Sequence, residues 1–418
     1  MKRIILHFGH DKTGTTSLQS TLFDNTNTLL NGGYFYPKLG MHFTHNRPSI
    51  IMFKNDIGDN RLFRLHHHIN ALWRLERVIY RQKFRKLLRE LSFDHLIFSA
   101  EFLPNMQIEE YENILHFFQS EFSEARIEVY LYARHPVSYA ESAWAQKSKD
   151  VEHKEETILI QDYLDLYERI KKSGLADSIN LFRFEDGCDH ARGPVHFLLE
   201  KMGMSDELIS KLEINRKNDR MSLFAQELSS FVNTKIPVSP VNCFFDIVRN
   251  EERKAIFGLP GQRFQLTRIQ VDKLWTAVTE QMEFLRETFE IDYGPNRNDK
   301  AENRILRLSE ANLKDLLTIF DGFSPLYKKI LLQYLESKVS TDELETPHVK
   351  ATIEGLIAKE KFLHSCPFFL IFAYHFLTCF GRKKYGKTVV WRVLNYVYRN
   401  LYRPMGQNYR RSWQANRK

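Results

Sequence analysis

A chain of 418 residues with 43% hydrophobic residues is long enough for one large α/β domain, or for two domains with ample cores. Its four cysteines are scattered without C-x-x-C spacing, which excludes a cysteine zinc motif and a disulfide framework and favours a reducing compartment. The net charge is +8, yet residues 381–418 alone hold eleven Lys and Arg and no Asp or Glu, so the basicity belongs to the C-terminal tail.

The first predicted elements are a strand, a tight loop and a helix. Ile4–Phe8 is a short apolar run, Gly9–Gly14 is polar and glycine-containing, and Leu18 and Leu22 then recur with helical spacing. This layout is typical of a phosphate cradle, because backbone N–H groups and the positive end of the helix dipole hold an anion there. Since Met1–Arg3 leads directly into the strand, we expect no signal peptide or N-terminal membrane anchor.

The loop is close to a Walker A motif but differs from it in the place of its lysine. Gly9 and Gly14 have the G-x-x-x-x-G spacing, but Thr15 stands where the lysine of that motif belongs. The lysine is Lys12, which could reach a phosphate from the loop and not from the helix.

Alternating strands and helices follow along the chain. We predict helices over 71–91, 108–121, 157–173, 194–203, 223–234 and 266–290, and strands over 94–101, 127–133 and 178–186. This alternation predicts an α/β fold, a three-layer sandwich with a central parallel sheet, a P-loop-like phosphate loop and a helical C-terminal extension. We place a main domain at 1–295, a helical accessory segment at 296–365 and a basic amphipathic tail at 366–418.

Three candidate functional residues directly follow predicted strands. Lys12 comes after the first strand, Glu101 ends the second buried strand, and Arg134 follows the next one. Ligands of parallel sheets bind at the carboxyl ends of the strands, so these residues are expected to converge on one crevice.

Residues 38–70 are rich in histidine and are predicted to be irregular. His42, His45 and the run His66–His68 make a metal site conceivable, but three consecutive histidines cannot all face one ion from a helix. We favour a solvated loop on the substrate side that leads into a helix.

Two motifs resemble the donor site of the sulfotransferase family, whose donor is 3′-phosphoadenosine 5′-phosphosulfate (PAPS). The loop reads Lys12-x-Gly14-Thr15-Thr16-x-Leu18, like the 5′-phosphosulfate loop of that family. About 120 residues later, Arg134-x-Pro136-x(5)-Ser142 is similar to its 3′-phosphate site. The resemblance covers roughly residues 1–295.

The resemblance implies a PAPS-dependent sulfotransferase that needs no metal. Lys12 would stabilise charge on the leaving group, and Glu101 would be the base, although some members of the family use a histidine. His7 and His10 lie nearer the loop, but His7 is expected to be a packed core residue. The cofactor-binding set implied is Lys12, Thr13, Gly14, Thr15, Thr16, Ser17, Arg134, Ser142 and, less specifically, Arg216. Ser138 is the rival hydroxyl for Ser142.

Two other functions are compatible with this fold. A nucleotide-dependent kinase would need Mg²⁺ ligands, for which the strand ends offer Glu101 but no convincing aspartate. A non-catalytic module could keep the fold and bind membranes through the tail. Gly381–Thr388 matches G-x-x-x-x-G-K-T, but no acidic residue follows it to hold Mg²⁺, so we discount it.

The tail itself is predicted to contact an anionic membrane surface. Residues 388–403 place arginines along one helical face and apolar side chains over much of the rest, which is typical of an interfacial helix. The alternative is a helix packed on the body with a disordered tail. We expect a cytoplasmic enzyme, peripheral on the inner face of the cell membrane, with a carbohydrate or glycolipid acceptor and no nucleic-acid partner.

Overall fold

The computed structural model describes residues 1–40, 44–55, 70–122, 124–147, 160–215, 221–236, 247–294 and 307–365. Packing divides the chain into two units. The first comprises Met1–Gln146, Lys154–Arg220 and Gln265–Asn303; the second comprises Lys147–His153, Met221–Phe264 and Arg304–Lys418. The domain boundaries expected at 295 and 365 stay a prediction.

The first unit is built on a five-stranded sheet in which every pairing is parallel. Its strands are β1 (Lys2–Phe8), β2 (Tyr34–Phe35), β3 (His95–Ala100), β4 (Ala125–Ala133) and β5 (Ser178–Arg183). They run in the order β2-β3-β1-β4-β5. The loop after central β1 therefore lies between the ends of β3 and β4.

Helices connect the strands of this unit. In chain order they are α1 (Thr15–Asp24), α2 (Thr26–Asn31), α3 (Asn46–Phe53), α4 (Asn70–Glu90), α5 (Ile108–Glu121), α6 (Pro136–Lys147), α7 (Tyr163–Ser173), α8 (Phe184–Asp189), α9 (Pro194–Lys201) and α10 (Asp206–Ser210). The chain continues with α11 (Leu223–Lys235), α12 (Ile247–Phe257), α13 (Arg268–Phe289), α14 (Glu310–Phe320), α15 (Pro325–Ser340) and α16 (Pro347–Ser365). Of these last six, only α13 belongs to the first unit.

Both faces of the sheet are buried, which confirms the predicted three-layer α/β architecture. Side chains alternate along β1, so Ile4, Leu6 and Phe8 join one core, while Ile5 joins another. The first core includes side chains of α3, α4, α5, α7 and α13, and the second includes side chains of α1, α2, α9 and α10. A strand that is apolar on both faces can be buried only between two helical layers.

Two local expectations were wrong. Residues 46–53, within the segment expected to be irregular, form α3, because the apolar run Ile50–Phe53 is buried on a helix. The stretch after Arg183, expected as the end of a strand, starts α8 at Phe184.

The second unit is helical in the part that the structure describes. The buried ammonium of Lys338 on α15 lies 2.5 Å from carboxylate oxygens of Glu227 and Glu343. Glu252 on α12 accepts a hydrogen bond from the buried N–H of Ser324 at 2.6 Å. A buried charge is tolerated only when it is paired in this way, so these contacts tie the helices of this unit together.

Candidate functional site

The phosphate loop leaves β1 between its two neighbouring strands. Gly9 N–H donates to the carbonyl of Ala100 at 3.1 Å, which extends the β1–β3 ladder by one bond. The hydroxyls of Thr13 and Thr15 both donate to the carbonyl of His10, at 2.6 and 3.1 Å. These bonds close the loop tightly, so the two threonine hydroxyls already support its backbone.

Two positions of the loop have left-handed backbone. Lys12 has φ 67° and Gly14 has φ 77°. Glycine adopts this conformation freely, but in a lysine it costs on the order of 1–2 kcal/mol. Strain of this kind tends to occur at functional sites, which agrees with a role for Lys12.

Helix α1 begins without a side-chain cap. Its N-cap is Gly14, and its first turn has no acidic residue. The first N–H groups of a helix have no intrahelical partner and carry the positive end of the dipole, so this terminus is suited to an anion. Thr15 and Ser17 are buried there, whereas Thr16 is half-buried.

Arg134 is brought onto the phosphate loop. Its guanidinium donates to the carbonyl of Lys12 and lies 5.2 Å from the centre of the Phe184 ring. Its Nε and Nη2 donate to the hydroxyl of Ser138, at 3.1 and 2.9 Å. The hydroxyl that contacts Arg134 is thus the rival one, one turn into α6, whereas Ser142 is half-buried further along that helix.

Glu101 is held at the end of β3 by one asparagine. The side chain of Asn46 accepts the Glu101 N–H at 2.7 Å and donates to Glu101 Oε2 at 3.2 Å. Burial, followed by the negative charge of Asp11, raises the pKa of Glu101 to about 7. Lys12 and Asn46 act in the opposite direction without cancelling these effects.

Asp11 is a site residue that sequence reasoning did not identify. Burial raises the pKa of Asp11, and the charge of Lys12 partly opposes that shift. Two carboxyl groups and one ammonium therefore interact beside the helix terminus. The sequence could have indicated Asp11, because it is the acidic residue directly before Lys12, the only lysine in the loop.

The histidines of this region are ill suited to act as the base. His7 is buried, as expected, and burial lowers the pKa of His7 to about 3; its Nδ1 lies 2.7 Å from the hydroxyl of Ser99. Burial and the charge of Arg169 lower the pKa of His10 to about 4. A group with a pKa of 3–4 accepts a proton weakly at neutral pH, so Glu101 is the better candidate.

One histidine of the 38–70 segment is buried, contrary to the expected solvated loop. His45 is stacked between Tyr36 and Phe98, with ring centroids 4.2 and 4.6 Å away. Its Nδ1 accepts the N–H of Ser99 at 3.1 Å, so Nε2 carries the proton and donates to the carbonyl of Pro37 at 2.7 Å. His45 thus fixes the start of α3 and the neighbouring Asn46. The other histidines of that segment, His42 and His66–His68, lie outside the described residues.

Tyr163 supports the loop from α7. Its hydroxyl accepts the backbone N–H of Arg134 at 3.0 Å and donates to Gln161. The amide of Gln161 donates to the carbonyl of Asp11 at 3.4 Å. The ends of β1 and β4 are therefore joined through side chains that sequence motifs did not indicate.

The structure brings together most of the predicted site. The loop residues follow β1, Glu101 follows β3 and Arg134 follows β4, so all lie at the carboxyl ends of these strands, as predicted. Arg216, the Gly381–Thr388 match and the tail lie outside the described residues. Within the described ranges, no helix has both the length and the apolar character needed to cross a bilayer.

Comparisons with known proteins give matches among solved structures alone. The chain matches no protein family and no curated protein. Among solved structures it is similar to a sulfotransferase from Alicyclobacillus acidocaldarius, at 13% identity and a TM-score of 0.31, over 58% of this chain and 96% of that chain. A likeness of this size carries no inference about activity.

Proposed function

We propose that the protein is a PAPS-dependent sulfotransferase that moves a sulfuryl group to a hydroxyl of a carbohydrate or glycolipid acceptor. The observation that carries the proposal is that three features lie together at one edge of the sheet. These are an uncapped helix terminus behind Lys12, the guanidinium of Arg134 on the loop, and a carboxyl group, Glu101, with a pKa near neutrality.

The donor would be held by the phosphate loop and Arg134. Backbone N–H groups at Gly14, Thr15 and Thr16 would face the 5′-phosphate, because anions are favoured at a helix N-terminus. Arg134 offers a bidentate fork suited to the 3′-phosphate, with the hydroxyl of Ser138 beside it and Ser142 further along α6 as the proposed second hydroxyl. The residues Thr13, Ser17 and Arg216 complete the proposed set.

Glu101 would act as general base. It takes the proton of the acceptor hydroxyl while that oxygen bonds to sulfur, and the bond from sulfur to the 5′-phosphate oxygen breaks. The products are a sulfate ester and 3′-phosphoadenosine 5′-phosphate. Lys12 would stabilise the charge on the leaving oxygen, an effect typically worth about 3–4 kcal/mol per donor. A base with a pKa near 7 combines sufficient basicity with a substantial deprotonated fraction at neutral pH.

Calorimetry with two ligands tests the proposal. We expect 3′-phosphoadenosine 5′-phosphate to bind without metal, and ATP with Mg²⁺ to bind at least tenfold more weakly. Tight binding of ATP–Mg²⁺ alone would support a kinase and reject the proposal, and binding of neither ligand would support a non-catalytic module. Arg134→Ala should abolish the preference for the 3′-phosphate.

The acceptor class and the location are proposed from the sequence. The carbohydrate or glycolipid acceptor comes from the resemblance of the motifs, and a cytoplasmic protein at the inner membrane face from the composition of the tail. Release of 3′-phosphoadenosine 5′-phosphate from PAPS should rise on adding a glycan or glycolipid acceptor. Equal release with small phenols would contradict the acceptor class while leaving the donor proposal intact.

A further inference from the structure

Two histidines and a glutamate meet where α8 is followed by α9. His190 directly follows α8, whereas His196 and Glu200 lie four residues apart on α9 and so share one face of that helix. One ligand-type atom of each residue lies within 4.8 Å of the other two. The chain thus places three metal-ligand side chains around one point.

The carboxylate of Glu200 faces both imidazoles. Its Oε2 lies 3.4 Å from His190 Nε2, and its Oε1 lies 2.9 Å from His196 Nδ1. The residue His196 is only 4% exposed, and its Nδ1 has no hydrogen-bond partner among the described residues, because the short contact with Glu200 lacks hydrogen-bond geometry. A buried ring nitrogen 2.9 Å from a carboxylate oxygen without a hydrogen bond between them requires an explanation, and a shared ligand supplies one.

We propose that His190, His196 and Glu200 form a zinc site. Two imidazoles and one carboxylate are ligand types that Zn²⁺ favours, and three protein ligands leave a fourth position for water. The ligating atoms would be His190 Nε2, His196 Nδ1 and an oxygen of Glu200. None of these residues belongs to the proposed sulfuryl-transfer chemistry, so the zinc site stands or fails independently of that function.

Arg192 controls the tautomer of one ligand. Its Nη1 lies 2.7 Å from His196 Nε2, and an arginine can only donate, so in this state Nε2 is the acceptor and Nδ1 carries the proton. Zinc at Nδ1 requires the proton to move to Nε2, and Arg192 must then turn away. The side chain of Arg192 is 57% exposed, and Nη1 lies 4.0 Å from Asp206, so it has an alternative partner.

A bound ion would tie the end of α8 to α9. The other end of α8 contacts the donor site, since Phe184 lies under Arg134 and Glu185 accepts the N–H of His135 at 3.1 Å. Zinc would therefore stabilise the corner that carries these contacts. Its expected role is to hold this corner together, with water as the fourth ligand.

A competition experiment tests this site. The intact protein is stripped of metal with EDTA and then competes with a chromophoric chelator for Zn²⁺. We expect one high-affinity Zn²⁺ per chain and a rise in thermal midpoint on zinc addition. Glu200→Gln and His190→Asn should each weaken that binding at least tenfold and remove the thermal shift. Both positions are partly exposed, so these variants should fold; equal thermal midpoints without zinc verify this.

Matched controls separate the site from other histidines. His348→Ala should change nothing, because His348 pairs with Glu310 at 3.5 Å on the surface as a single His–Glu pair. A variant with His66–His68 replaced by alanine should keep the high-affinity site. Arg192→Ala should bind zinc more tightly than the unchanged protein, because Arg192 competes for the required tautomer.

Three outcomes would overturn the proposal. They are no zinc binding at micromolar concentration, unchanged binding in folded Glu200→Gln, and loss of the high-affinity site in the His66–His68 variant. Weaker binding in Arg192→Ala would reject coordination through His196 Nδ1.

Discussion

At the scale of single residues, the site is governed by one coupled set of charges. Glu101 and Asp11 both have raised pKa values, each primarily through desolvation, and Lys12 opposes both shifts. The carboxyl of Glu101 is oriented by the side chain of Asn46. Small changes in this set should therefore change the pH at which Glu101 loses its proton.

The pH dependence of the proposed sulfuryl transfer should follow the pKa of Glu101. A base acts when deprotonated, so kcat/KM should rise with pH and level off above an inflection near 7. In Asp11→Asn the inflection should move to lower pH, because the neighbouring negative charge is removed. Exposed Glu90→Gln is the control and should leave the inflection in place. A shift upward in Asp11→Asn would contradict the electrostatic argument.

Removing the hydrogen bond from Asn46 should act in the opposite direction. The amide of Asn46 stabilises the carboxylate form, so Asn46→Ala should raise the pKa of Glu101 and move the inflection to higher pH. Titration of the Glu101 carboxyl by NMR measures this directly. The pKa of Glu101 should move in opposite directions in Asn46→Ala and Asp11→Asn. Movement in the same direction would reject the roles assigned to Asn46 and Asp11.

Glu101 should also reduce stability at neutral pH. Its folded pKa is raised above the usual 4.5, so its contribution to stability is fully present below pH 4.5 and is lost as pH rises through about 7. Glu101→Gln should therefore stabilise the protein more at pH 8 than at pH 4. The gain in the free energy of unfolding should be larger at pH 8 by about 2 kcal/mol, allowing for partial solvent screening. Urea denaturation at both pH values measures the difference; an equal effect at both would contradict it.

At the scale of elements, sequence reasoning succeeded where a local pattern determines the structure. The apolar run of β1 and the helical spacing after Gly14 correctly predicted a strand, a tight loop and a helix. Residues directly after strands were correctly expected at one edge of the sheet. α3 was missed because its apolar run is only four residues long. Asn46 meets Glu101 through a tertiary contact that spans 55 residues of sequence, and no motif at its own position predicts that partner. Ser138 lies only four residues after Arg134, and the sequence offered it as the rival hydroxyl.

The turn from β1 into α1 needs glycine at position 9. A Cβ there would lie 2.3 Å from Cγ2 of Thr15, closer than real contacts allow, and Thr15 is buried. Gly9→Ala should therefore lower the free energy of unfolding by about 1–3 kcal/mol and weaken binding of 3′-phosphoadenosine 5′-phosphate. Gly355→Ala, exposed on α16 with open space around it, is the matched control and should be neutral or slightly stabilising. Thermal denaturation measures the stability of both variants. An equal loss of stability in both would contradict the steric argument.

At the scale of the whole molecule, charge is separated along the chain. The eleven basic residues of 381–418 exceed the entire net charge of +8, so the remainder is slightly acidic. Composition predicts this separation, but it does not say what the tail contacts, because a basic amphipathic pattern serves a membrane and a protein surface equally well.

Vesicle flotation tests the predicted membrane contact. The intact chain should float with anionic vesicles at low salt, and added salt should release it because surface charges are screened. Neutral vesicles are the control and should not carry the protein. A chain ending at residue 380 should fail to float with either, and unchanged flotation after truncation would remove the membrane proposal.

The central position of β1 also has a consequence for biosynthesis. Arg3 pairs with His95 and Lys2 with Ala125, so β1 is made before both of its partners and has none until β3 has left the ribosome. Until then Ile4, Ile5 and Leu6 form an unpaired apolar segment of the kind that aggregates. The segment that positions the loop of Lys12 in the finished protein is therefore one that a newly synthesised chain must protect until its partner strands are made.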